Sequence, residues 1–88
     1  MHPLPDMVGT GAAVQIPNPT PATAVLLIVS GTGTVRLGDS TVTSGLGIPV
    51  VAGGGMLVPY RGRTKYYPAG GLWVWIPTTA TVSPAYFD

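Results

Sequence analysis

The run Thr23-Ala24-Val25-Leu26-Leu27-Ile28-Val29-Ser30-Gly31-Thr32-Gly33-Thr34-Val35-Arg36-Leu37-Gly38-Asp39 decides the fold. Thr23 to Ser30 is apolar almost throughout, with prolines before it and glycines after it. A run so short and so bounded reads as a strand rather than a helix, placed mid-sheet and buried on both faces. Gly31-Thr32-Gly33 reads as a tight turn. In Thr34 to Leu37 the apolar Val35 and Leu37 alternate with Arg36, the period-2 pattern of a half-buried strand. Gly38-Asp39 then supplies the backbone freedom of a hairpin turn.

The rest of the chain repeats this grammar. Thr41-Val42-Thr43 reads as a short return strand, Ser44 to Gly47 as a loop, and Ile48-Pro49-Val50-Val51 as apolar side chains dropping back to the core. Gly53-Gly54-Gly55 is another tight turn, leading into Met56-Leu57-Val58. Leu72-Trp73-Val74-Trp75-Ile76 places both tryptophans on one face, opposite Val74. Thr79 to Ser83 forms the last strand, and Pro84 to Asp88 an aromatic tail. Upstream, Val8 to Ile16 reads as a first strand or edge ribbon, and Pro17 to Pro21 as a stiff, polyproline-like loop. Residues 1–7, with Pro3 and Pro5, read as an extended arm. About seven or eight short strands separated by turn signals predict an all-β chain. It is a single antiparallel β-sandwich or small barrel of jelly-roll type over residues 8–88. The expected core comprises Val25, Leu27, Val35, Leu37, Ile48, Leu57, Trp73 and Trp75. On that reading Trp75→Ala costs about 3–5 kcal/mol.

Composition narrows the function. Only 8% of the 88 residues are charged, for a net charge of +1, where ordinary soluble domains have about a quarter. Hydrophobic residues make up 45%, which sets the chain apart from disordered sequences despite its 13 glycines and 10 prolines. A folded domain with so neutral a surface fits one that is partly covered in its working state. Four basic residues are too few for a nucleic-acid partner to dominate. No apolar run is long enough to span a membrane, and the start lacks the pattern of a secretory signal. The expectation is synthesis in a cytoplasm.

The chemistry of catalysis is sparse. There are no cysteines and no glutamates, and one histidine, His2, lies in the expected arm. The three carboxylates, Asp6, Asp39 and Asp88, are scattered, and Asp39 suits turn chemistry alone. A catalytic pair needs two such groups held in one cleft. The glycine clusters lack the following helix and Lys-Ser/Thr of a phosphate loop. No enzyme, cofactor or metal is therefore expected. Tyr60-Arg61-Gly62-Arg63-Thr64-Lys65-Tyr66-Tyr67 holds three of the four basic residues. Tyr and Arg are interface anchors, so Tyr60, Arg61, Arg63, Lys65, Tyr66 and Tyr67 are candidate partner-binding residues. A solvated loop and a single-stranded nucleic-acid site are the other readings of the segment. Pro3, Leu4 and Pro5 of the arm, with Tyr86 and Phe87 of the tail, are candidates for ordering on a partner. Trp73 and Trp75 read as core or interface, and alternatively as a platform for stacking carbohydrate.

Gly33-Thr34-Val35-Arg36-Leu37-Gly38-Asp39-Ser40-Thr41-Val42-Thr43, followed by Gly47-Ile48-Pro49-Val50 and Ala52-Gly53-Gly54, resembles a hairpin-and-return pattern of small virion proteins of tailed bacteriophages. The likeness covers residues 23–83; the basic excursion and the Pro-rich arm depart from it. It implies a capsid decoration (cement) or head-fibre protein on the outside of the virion. Such a protein docks on the major capsid protein, commonly as a homo-oligomeric trimer or dimer, and reinforces capsomer contacts. A tail, neck or baseplate component is the structural alternative. A carbohydrate- or host-surface-binding module is the alternative from another class.

Overall fold

The computed structural model describes residues 2–16, 24–59 and 71–87. Nine strands are described: β1 (His2–Pro3), β2 (Met7–Val8), β3 (Ala12–Gln15), β4 (Ala24–Gly31), β5 (Thr34–Gly38), β6 (Ile48–Val51), β7 (Gly55–Pro59), β8 (Trp73–Ile76) and β9 (Ala80–Phe87). They form two antiparallel sheets. Sheet A has the order β1-β9-β4-β7, with β2 also on β9, and sheet B the order β3-β8-β5-β6. Matched position by position, the two orders are the halves of four long ribbons: β1/β2 continues into β3, β9 joins β8, β4 continues into β5, and β7 joins β6. Four antiparallel ribbons, each bent so that half lies in either sheet, are the wrapped double Greek key of a jelly roll. The chain is all-β, a small sandwich.

The bend is written in small residues. The ends of Ala24 to Arg36 and of Phe87 to Trp75 lie twelve positions apart in each case, and both end pairs are in register, so the β4–β5 and β9–β8 ribbons stay paired through the corner. The Thr32 amide donates to the Thr79 carbonyl there at 3.0 Å. Gly31 and Gly33, at φ of 90° and 98°, take the left-handed backbone that the corner needs. At Gly9 the limit is space. A Cβ there would lie 1.8 Å from the Pro77 carbonyl oxygen, because the N-terminal ribbon crosses the β8–β9 corner in direct contact. The glycine clusters read as tight turns therefore carry strands from one sheet to the other.

Between the sheets lies an aliphatic core. Sheet A contributes Val25, Leu27 and Val29 of β4, Val58 of β7 and Val82 of β9. Val35 and Leu37 of β5, Val50 of β6, and Val74 and Ile76 of β8 face them from sheet B. Ile16 and Leu72 close the end away from the bend, joined by an Ile16 amide to Leu72 carbonyl bond of 2.8 Å. The four expected core residues Val25, Leu27, Val35 and Leu37 are all at most 2% exposed.

Several expectations need correction. Ile48 and Leu57 are 40% and 55% exposed, and Trp73 and Trp75 are only half-buried, on the outer face of sheet B. Leu72, Val74 and Ile76 take the inner positions instead, since a gap of about 10 Å between sheets is filled by aliphatic side chains from both. β4 is central, as expected, but buried on one face: its outward residue Ile28 is 47% exposed. Thr41–Thr43 is no strand. The partner of β5 is β6, and residues 39–47 form the connection, where the Asp39 side chain captures the Thr41 amide at 2.9 Å and draws the backbone into a turn.

The N-terminal arm and the aromatic tail are both in the sheet. β1 pairs His2 with Tyr86 and Pro3 with Ala85, and β2 pairs Met7 with Val82. Three residues lie between Pro3 and Met7 where two lie between Ala85 and Val82, so residues 4–6 bulge. Pro84 explains the place. Its carbonyl accepts from the Leu4 amide at 2.9 Å, so its missing N–H lies on the same side and leaves the N-terminal ribbon one bond short.

Candidate functional site

With the core aliphatic and closed, the distinctive chemistry lies on the two outer sheet faces. Strand alternation puts Leu26 and Ile28 of β4 outward on sheet A, and cross-strand partners share their face. Leu57, Leu26, Ala85 and Pro3 therefore form one row running from β7 across β4 and β9 to β1. Beside it, Ile28 stands between Gly55 and Ser83, and Ala24 lies opposite Phe87. Val8 of β2, 69% exposed, faces out opposite Thr81. None of these paired outward positions carries a charge.

The outer face of sheet B differs. Ala13, Trp75, Arg36 and Pro49 make one row, and Gln15, Trp73 and Gly38 the next. Arg36 is half-buried; its Nη1 donates to the Gly47 carbonyl at 3.2 Å, and its Nε is buried with no hydrogen-bond partner. The guanidinium is thus tied to the 39–47 connection. Val42, 4% exposed, anchors that connection against Gly38 and Gly47. At its start the Asp39 carboxylate accepts from the Thr41 hydroxyl and amide, which holds its pKa below the ordinary value.

The remaining candidates divide. His2 stacks on Tyr86 with ring centroids 4.8 Å apart and planes 20° from parallel. Tyr86 is half-buried and packs against the core, so it is engaged within the chain. Phe87 is half-buried beside Ala24, Leu4 is half-buried, and Pro3 and Pro5 are exposed. Tyr60, Arg61, Arg63, Lys65, Tyr66 and Tyr67 lie outside the described residues. Among the described residues no three His, Cys, Asp or Glu side chains gather as metal ligands would.

Sequence reasoning passed over Leu26, Ile28 and Arg36. A continuous apolar run carries no signal that half of it faces out. For Arg36 a signal was present: it alternates with Val35 and Leu37, so it had to stand on the face opposite the core. The chain matches no protein-family model, no curated protein and no solved structure.

Proposed function

We propose that this protein is a non-enzymatic capsid decoration protein of a tailed bacteriophage, docking on the major capsid protein through the outer face of sheet A. The observation that carries the reading is the uncharged row Leu57–Leu26–Ala85–Pro3 with Ile28 beside it. It sets exposed Leu57, Ile28 and Pro3 around half-buried Leu26 and buried Ala85, with no charge to desolvate when a partner covers them. The resemblance of residues 23–83 to small virion proteins supplies the identity of the partner. Repetition over a symmetric shell, with the protein as a dimer or trimer, would sum modest single contacts into a stable clamp.

The test is copy number in purified particles of the encoding phage, by quantitative mass spectrometry against the major capsid protein. A ratio near one per capsid subunit, or one trimer per local three-fold, is expected. A dozen copies or fewer would move the protein to the neck or tail, and absence from particles would overturn the reading.

A further inference from the structure

The outer face of sheet B is built differently from the face assigned to docking, and its chemistry points to another kind of occupant. Trp73 and Trp75 lie two residues apart on β8, both half-buried with part of each ring open. That spacing sets them about 7 Å apart along the strand. Ala13 is the small cross-strand neighbour of Trp75, while beside Trp73 the place over Gly38 is filled by the Val42 side chain, 3.7 Å from where a Cβ would stand. On its other side Trp75 has Arg36, about 5 Å away between Cβ atoms of paired residues. Gln15 stands opposite Trp73, its side-chain amide lying against Gly71.

We propose that Trp75, Trp73 and Arg36 form a binding site for an acidic saccharide, a pyranose bearing a carboxylate. The apolar C–H face of a pyranose ring carries slight positive charge and matches the negative face of an indole. Arg36 supplies the only charge among the paired outward positions of this sheet. Its Nη1 is already fixed on the Gly47 carbonyl, so the guanidinium is pre-oriented for a carboxylate. The nearest acidic residue in sequence, Asp39, turns its carboxylate to the Thr41 amide and hydroxyl rather than to Arg36. A nucleic acid brings a phosphate at every nucleotide and calls for a row of cations, which this face lacks. The site lies on the opposite side of the sandwich from the apolar row of sheet A, so both faces can be occupied at once.

The intact 88-residue chain is titrated with tri-galacturonate, 3′-sialyllactose, galactotriose, lactose and an eight-nucleotide oligothymidine, read by tryptophan fluorescence and by calorimetry. At least one acidic saccharide is expected to bind and to perturb the fluorescence. Trp75→Ala should remove that binding. Arg36→Gln should weaken it about tenfold, and weaken any binding of the neutral sugars far less. Thermal melts of both variants, and their incorporation into particles, check that the fold and the docking face are intact. Binding by neither acidic saccharide, binding equal to that of the neutral sugars, or binding that survives both substitutions would overturn the proposal. Preference for the oligonucleotide over every saccharide would overturn it as well.

Discussion

Gly9 shows how little room a single position has. Its missing side chain lets the N-terminal ribbon touch the Pro77 carbonyl, which is backbone and cannot rotate away. Gly9→Ala should therefore destabilise the protein by about 1–3 kcal/mol or more in urea denaturation. Gly45→Ala is the control: nothing lies within 4 Å of its added Cβ, and the change should stay within about 0.5 kcal/mol. Asp39 makes a prediction in pH. Its folded pKa is depressed by the Thr41 hydroxyl and amide. Its contribution is thus complete above the unfolded-state value of about 3.9 and lost as pH falls through the lower folded value. The Thr41 amide should keep its hydrogen-bonded chemical shift at neutral pH and lose it in that acid window, and Asp39→Ala should remove it at every pH.

At the scale of elements, Val35–Arg36–Leu37 was readable because its two faces differ in polarity. Leu72 to Ile76 was not, because both of its faces are apolar: period 2 separated the tryptophans from Val74 but could not say which set goes inside. The width of the sandwich decided it, and width is a property of two sheets that no one strand displays. Ile76→Ala should accordingly cost about 2–5 kcal/mol. Trp75→Ala, at a half-exposed outer position, should cost only about 1–2 kcal/mol, and paired thermal melts separate the two. The short alternation Thr41–Thr43 misled for a local reason: the Asp39 carboxylate offered the backbone a turn, and three residues of strand pattern could not compete. The arm and the tail looked free because prolines weaken pairing. The structure pairs them anyway and places the defect at residues 4–6, opposite Pro84.

For the molecule as a whole, the all-β sandwich class was legible from turn spacing. The order β1-β9-β4-β7 was not, since it depends on partners far apart in the chain. The extents of 32 × 24 × 17 Å suit two stacked sheets, and one broad face is of the order of the ~800 Å² per partner that a stable interface covers. Docking through sheet A would occupy most of such a face. Leu57→Asp alters an exposed edge position, so its melting temperature should hardly move while its copy number in particles falls steeply. Loss of folding in that variant would instead make Leu57 a structural residue.

The central place of β9 has a consequence for synthesis. Ala24 finds its partner Phe87 63 residues later, and β4 and the N-terminal ribbon both wait for the same strand. Pairings this distant belong to chains that fold in milliseconds to seconds. On the ribosome, the strands of sheet B and the β4–β7 pair can all emerge while β1, β2 and the other edge of β4 still wait for β9. A nascent chain arrested at residue 79 should remain open to protease, with β4 bare along one edge. One released past residue 87 should close in a single cooperative step.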